Sequence, residues 1–342
     1  MSNRVDNQIP PPIATRKSKK TLWIVLGSVC GVMLVLAGIC CGGLLWFSTF
    51  PSVPPTASQP LDNSSIAVPP LPEPGPAVMV APGVMRSEIV WGNGTRIGQP
   101  PGANSRLWLY LPANATDPGS LPCVLITAAG STMFAGMDLV TGDQPEHIPY
   151  VQAGFAVVAF EMDGSSAVGN EVQRYTAYRA ANAGLVNARN ALEYTLKKVP
   201  QVNPQQIFSA GHSSAATLAL LFAEHEPRLA GCVAYAPCID LKARMPALLV
   251  RGMSAGMPHL AEFIVQSSPR THEQRLNCPV MIFHAADDTN VPIATSREFA
   301  KRMQAAGKDV TLKEVASGEH YDSMIEQGIP AGIAWMKEHL RK

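Results

Sequence analysis

Ser213 sits in Gly211-His212-Ser213-Ser214-Ala215, between a short apolar run at 207–210 and an apolar helical run from about Ser214. This is a G-x-S-x-G elbow with Ala in place of the last Gly. A side chain on a sharp strand-to-helix turn is exposed only where the backbone packs closely on both sides, and Gly211, Ala215 and Ala216 permit that approach. A serine hydroxyl is a weak nucleophile and needs a base within hydrogen-bond reach. The base in turn needs an orienting carboxylate. On alternating strands and helices these should follow in the order Ser, Asp or Glu, His, each at a strand end. The carboxylate candidates are Asp287 and Asp288, in a polar turn after the apolar run Val280–Phe283; Asp in such a turn also suits simple helix capping. Among eight histidines, His320 is the base candidate because its loop follows the last predicted strand. His212 adjoins the nucleophile but is expected to point the wrong way along the turn, and His284 ends a strand as a structural residue. Two backbone N–H groups should bind a developing oxyanion: that of Ser214, at the helix start, and one from the small-residue loop Ala128–Thr132, for which Ser131 is the choice.

Positioning those residues requires a scaffold. Val84–Val90 and Leu107–Leu111, with an Asn93-Gly94 turn after the first, read as an opening antiparallel pair. Apolar runs at Cys123–Thr127, Phe155–Phe160, 207–210, Leu229–Tyr235, Val280–Phe283 and Val310–Val315 follow as strands. Between them lie helical patterns, the longest over Glu171–Val199 with Ala180, Ala183, Leu185, Ala188, Leu192 and Leu196 as its buried stripe. Pro330–Leu340 closes the chain as an amphipathic helix opened by Pro. Such alternation predicts an α/β fold: a doubly wound, mostly parallel sheet with its site beyond the carboxyl ends of the strands. Residues 240–277, rich in apolar residues and carrying Met245, Met253 and Met257, interrupt the alternation as a small helical cap.

The N-terminal region has a different character. Residues 1–20 carry Arg4, Arg16, Lys17, Lys19 and Lys20 against Asp6, and Leu22–Phe47 is 26 residues without a charge. At about 1.5 Å per residue that length crosses a hydrocarbon core of about 30 Å. Trp23 and Trp46 stand at its ends, where interfacial aromatics belong. The expected organisation is therefore a basic cytoplasmic tail (1–20), one transmembrane anchor (21–48), a proline-rich spacer (49–82) and an extracytoplasmic domain (83–342). The stretch is longer than a signal peptide's apolar core, and its exit offers no small-residue cleavage site. Gly27, Gly31, Gly38 and Gly42 fall on one helical stripe, which allows a homodimer through paired anchors, although Gly is frequent in membrane helices anyway. A net charge of +1, with 15% charged residues, gives no support for nucleic-acid binding. Cys123, Cys232, Cys238 and Cys278 cannot be paired from sequence.

Three segments taken together carry a resemblance: Gly211-His-Ser-Ser-Ala-Ala, Cys278-Pro-Val-Met-Ile-Phe-His-Ala-Ala-Asp-Asp-Thr-Asn-Val-Pro and Gly318-Glu-His-Tyr. From about 83 to 340 the chain resembles the α/β-hydrolases, and is most similar to the catalytic domains of the prolyl oligopeptidase and dipeptidyl peptidase family and to dienelactone hydrolase-like esterases. In that family's pattern the catalytic Asp precedes x-x-Val-Pro, which selects Asp288. Ala215 and Ala285 depart from the family's usual Gly but stay small. The resemblance implies acyl transfer on a small-molecule ester or peptide, with Ser213 as nucleophile, His320 as base and Asp288 orienting it, and implies no metal or cofactor. Family oligopeptidases carry a large β-propeller, for which the residues before the domain leave no room, so an esterase-like hydrolase is expected ahead of a peptidase. An inactive hydrolase fold serving as a tethered binding module is a third reading, and the complete triad speaks against it.

Overall fold

Three antiparallel strands open the sheet: β1 (Val78–Ala81), β2 (Val84–Val90) and β3 (Arg106–Pro112). Six parallel strands follow: β4 (Leu121–Thr127), β5 (Ala156–Phe160), β6 (Val202–His212), β7 (Gly231–Tyr235), β8 (Val280–Ala285) and β9 (Val310–Val315). Their order in the single sheet is β1-β2-β3-β5-β4-β6-β7-β8-β9. The coordinates are a computed structural model and describe residues 61, 63, 65–91, 101–102, 106–165 and 169–340. All of these belong to one compact unit, Ala57–Lys342. The expected basic tail, the anchor with its four glycines and the Asn93-Gly94 turn lie outside the described residues. No helix among the described residues is long and apolar enough to cross a membrane.

Helices cover both faces, so the strands must be apolar on both sides. Cys123 and Leu125 of β4 join one core, and Val124 and Ile126, one residue out of step, join the other. The first core lies under α2 (Glu171–Ala180), α3 (Leu185–Lys198), α4 (Ser214–His225) and α9 (Ile293–Ala305). The second lies under α1 (Gln144–Gln152) and α10 (Ile329–Glu338). Side chains such as Phe208, Phe155 and Phe299 are fully buried. Truncating any of them to Ala would cost about 3–5 kcal/mol. Between β7 and β8 the chain forms four short helices, α5 (Leu241–Arg244), α6 (Ala247–Met253), α7 (Leu260–Gln266) and α8 (Pro269–His272), across the stretch expected as a cap. Met257 is buried in the first core, with Met245 and Met253 packed against it.

Two expectations need correction. The helix expected over Glu171–Val199 is two helices, because Asn182, Ala183 and Gly184 take φ of 51°, 57° and 88°. Three successive left-handed residues end a right-handed helix. A Cβ on Gly184 would meet Leu218 Cδ2 at 2.8 Å, so the break lets the chain approach α4. Leu185, Ala188 and Leu192 keep the buried stripe while Ala180 is exposed. The spacer expected over 49–82 also ends differently. Its Pro-free run between Pro76 and Pro82 pairs with β2 as the edge strand β1. Trp91 Nε1 donates to Pro70 O at 2.8 Å, and Leu61 and Leu71 pack on the core. Missing proline donors keep this stretch off the sheet interior, but its apolar rings and flanking leucines still bury surface. Cys123, Cys232, Cys238 and Cys278 are all unbonded thiols.

Candidate active site

The chain goes from β4 out to β5 on one side and then to β6 on the other, so the sheet changes winding direction between β4 and β6. Crevices at such switch points are where ligands bind in open α/β sheets. The loop after β4 and the turn after β6 meet there, and the loops after β8 and β9 lie further along the same edge.

Ser213 links β6 to α4 with φ 56° and ψ −118°. A non-Gly residue in so sparsely populated a region costs about 1–3 kcal/mol and persists only where its surroundings over-determine it. Here they do. Ser213 N–H donates to Tyr235 O at 2.9 Å, and Ser213 O accepts from Thr217 N at 3.1 Å and Thr217 Oγ1 at 3.2 Å. A Cβ on Gly211 would lie 2.5 Å from the Ala215 carbonyl carbon and oxygen, so Gly at 211 is a steric requirement. Ala215 and Ala216 are fully buried, as expected of the small residues flanking an elbow.

Beside the elbow, the loop after β4 turns through Gly130 at φ 97°, and the N–H groups of Gly130 and Ser131 converge on one point. That point is occupied by Ser214 Oγ, 3.0 Å from Gly130 N and 2.9 Å from Ser131 N. Ser131 Oγ accepts from Met133 N at 3.1 Å and donates to Ala135 O, which ties the loop to itself. The Ser131 N–H thus points at the Ser214 hydroxyl, together with that of Gly130. The convergence of the Gly130 N–H and the role of the Ser214 hydroxyl were not foreseen.

Across the crevice, Asp288 Oδ2 faces His320 Nδ1 at 2.7 Å. Asp288 Oδ1 accepts from Asn290 N and Val291 N, each at 2.8 Å. Burial works to raise the Asp288 pKa, but the hydrogen bonds from His320 and from the Val291 and Asn290 N–H groups win, and the carboxyl is held below its usual range. With Nδ1 donating to a carboxylate, His320 presents Nε2 as its lone-pair nitrogen. Nε2 is buried and has no hydrogen-bond partner among the described residues. A buried nitrogen without a partner is rare enough to require an explanation.

Three neighbours hold this arrangement. Asp287 accepts from Gly318 N at 3.1 Å and Glu319 N at 2.9 Å, fixing the loop that carries His320. His284 is buried behind Asp288; its Nε2 donates to Val291 O at 2.9 Å and lies 3.2 Å from Asp288 Oδ2, while Ser296 Oγ donates to its Nδ1 at 2.9 Å. Burial lowers the His284 pKa. His212 was expected to point away, yet its ring lies 4.5 Å from that of His320 and its Nε2 donates to His320 O at 2.9 Å. Burial, and then the neighbouring His320, push the His212 pKa down to about 4, so it stays neutral. The alternation of side chains about a turn gives no signal for such a contact, because it is made with a loop more than a hundred residues away. Asp287 could have been suspected, since an Asp pair offers one carboxylate for the base and one for the backbone. Two cavities flank the crevice. One of about 150 Å³ is bounded by Ser131, Phe134, Glu171 and Arg174. The other, of about 260 Å³, lies between Asp240, Arg244 and Val291. Among the described residues no cluster of His, Cys, Asp or Glu could hold a metal ion.

A mostly parallel sheet with a strained serine elbow at its switch point defines an α/β-hydrolase. The family model of the prolyl oligopeptidase family matches residues 144–342, so the chain belongs to that family and is a serine hydrolase. A search of curated proteins by sequence gives no match. Among solved structures, the chain is similar to an acetyl xylan esterase from Paenibacillus sp. R4 (TM-score 0.60, 15% identity, covering 79% of this chain and 90% of that one). It is similar to an acylaminoacyl peptidase from Pyrococcus horikoshii (TM-score 0.59, 14% identity, 76% of this chain and 42% of that one). A thermophilic esterase from Thermogutta terrifontis also matches (TM-score 0.52, 17% identity, 72% of this chain and 93% of that one). The chain therefore spans about nine-tenths of these esterases and about two-fifths of the peptidase. At these identities the likeness is one of fold.

Proposed function

We propose that the protein hydrolyses carboxylic esters through an acyl-enzyme, with Ser213 as nucleophile, His320 as general base and acid, and Asp288 holding the imidazole tautomer. The observation that carries this reading is His320 Nε2, a buried lone pair without a partner on an imidazole whose Nδ1 is 2.7 Å from Asp288. Ser213 Oγ attacks the carbonyl carbon while its proton passes to Nε2. The tetrahedral intermediate collapses as Nε2 returns that proton to the leaving alcohol. Water then repeats the sequence on the acyl-serine, releasing acid and enzyme. The oxyanion is held by the N–H groups of Ser131 and Gly130, with that of Ser214 completing the set. The strain at Ser213 speaks against an inactive binding module, since a fold with no use for an exposed nucleophile has no reason to keep it.

Esterase is placed ahead of peptidase on the likeness to an acetyl xylan esterase and a thermophilic esterase. Peptidase chemistry remains the second reading, on the strength of the family itself. Residues 240–277 are assigned a substrate-shaping role: Arg244 donates to Asn290 O at 2.8 Å and to Asn290 Oδ1 at 3.1 Å, joining this stretch to the Asp288 loop. Turnover of a panel of esters of graded acyl length, beside N-acylated and proline-containing peptides, separates the two. The expected outcome is ester turnover that varies with acyl length; peptide turnover exceeding it would reverse the order. The domain is further assigned to the extracytoplasmic side, held by a single span over Leu22–Phe47 with residues 1–20 inside. Protease added outside intact spheroplasts should then release it, and full protection would count against this topology.

A further inference from the structure

The Ser214 hydroxyl is at a place where an oxygen is expected only during catalysis. Donors that stabilise an oxyanion lie about 2.7–3.1 Å from the position that oxygen will occupy. The Gly130 and Ser131 N–H groups are 3.0 and 2.9 Å from Ser214 Oγ, and Ser214 directly follows the nucleophile. Both N–H groups come from a loop fixed elsewhere: Ser131 Oγ is bonded within it, and Gly136, whose Cβ would lie 2.1 Å from Asp163 O, is pressed against the turn after β5. The loop is not free to retreat, so whatever enters the hole must move the hydroxyl. A serine side chain can do this by a single χ1 rotation between staggered wells.

We infer that Ser214 Oγ is a resident occupant of the oxyanion hole, displaced by the substrate carbonyl each time the site fills. This rests on the assignment of Ser213 as nucleophile. With two N–H donors on its lone pairs, the hydroxyl satisfies groups that would otherwise need a substrate or solvent oxygen. The occupant must leave for ground state and transition state alike. It therefore weakens the binding of both by the same factor, which is the signature of a uniform binding effect and leaves kcat alone. The chain thereby discriminates against carbonyl groups too weakly held elsewhere in the site to dislodge its own hydroxyl.

The test is steady-state kinetics of the full chain and of Ser214→Ala on one ester, with inhibition of each by a trifluoromethyl ketone analogue of that ester. Ser214→Ala should lower KM by roughly two- to ten-fold, the equivalent of about one net hydrogen bond. The Ki of the ketone should fall by the same factor, and kcat/KM should rise with it. A kcat reduced ten-fold or more at constant KM would show that the hydroxyl donates to the oxyanion, and would overturn the inference. So would a crystal structure of the ketone adduct in which Ser214 Oγ still lies within hydrogen-bond distance of both N–H groups. Ser213→Ala is run beside these. If it retained wild-type turnover, the assignment of the nucleophile would fail, and that outcome is separate from any effect at Ser214.

Discussion

The two sides of the crevice are built in opposite ways. On the base side, Asp288 takes hydrogen bonds from two backbone N–H groups as well as from His320, Asp287 holds the next loop by two more, and His284 and His212 brace the assembly from behind and beside. Apart from Nε2 of His320 and Nδ1 of His212, that network is satisfied before any substrate arrives. On the nucleophile side, the backbone of Ser213 is held at φ 56° and the hole beside it is closed by the chain's own hydroxyl. One side is stabilised by being finished, and the other is kept strained and provisionally filled. Substitutions on the base side should therefore lower stability and activity together, whereas those on the nucleophile side should exchange one for the other.

The largest effect belongs to the base side. Asp288→Asn should lower kcat by about 10⁴-fold, because the amide stabilises the wrong imidazole tautomer. It should also lower the melting temperature, since the charge-assisted bonds weaken. Asp287→Ala leaves the carboxylate facing His320 in place and frees only the Gly318–Glu319 loop, so a loss of roughly 10–100-fold is expected. Equal losses from the two would mean that the Asp pair does not divide its work as described; parallel kinetics and thermal melts decide it.

A smaller effect of opposite sign is expected at the elbow. Ser213→Gly should abolish turnover yet stabilise the fold by about 1 kcal/mol, the relief of backbone strain less the extra entropy of Gly. Ser213→Ala, which keeps the strain, should melt close to the wild type. If denaturant unfolding showed both variants equally stable, the elbow would hold no strain worth releasing.

The smallest effect is a matter of pH. His212 is held at about 4 against its ordinary 6.5, so between those values the unfolded chain takes up a proton that the folded chain refuses. Stability then falls with falling pH, by up to about 1.4 kcal/mol per unit from this group. Asp288 acts in the same direction but lower: its contribution is present above the ordinary Asp value and is lost only as pH falls below about 4. His212→Gln should remove one proton's share of the slope between about pH 6.5 and 4. Melting curves across that range with an unchanged slope would contradict the burial of His212.

The parallel sheet and the elbow could be read from the sequence because they depend on local signals. Short continuous apolar runs, Gly211 and two alanines, and a serine between them are all visible within a few residues. Asp288 was chosen over Asp287 by resemblance alone, since nothing in the turn itself distinguishes two adjacent carboxylates. The break at Asn182–Gly184 was masked because the apolar stripe continues in phase on both sides of it. The strand β1 was hidden among prolines that normally mark a spacer. The contacts of His212 and Ser214 depend on loops distant in sequence, His320 and Gly130–Ser131, and no pattern along one segment encodes such a meeting.

The proposed acyl transfer depends most directly on which oxygen is the nucleophile. Two serines are adjacent, and one has a strained backbone at the elbow while the hydroxyl of the other is engaged by two backbone N–H groups. Incubating the full-length chain with a fluorophosphonate and mapping the modified peptide by mass spectrometry distinguishes them. The expected result is a single stoichiometric adduct on Ser213, absent in Ser213→Ala and retained in Ser214→Ala. An adduct on Ser214, or a folded chain that takes up no label, would contradict it.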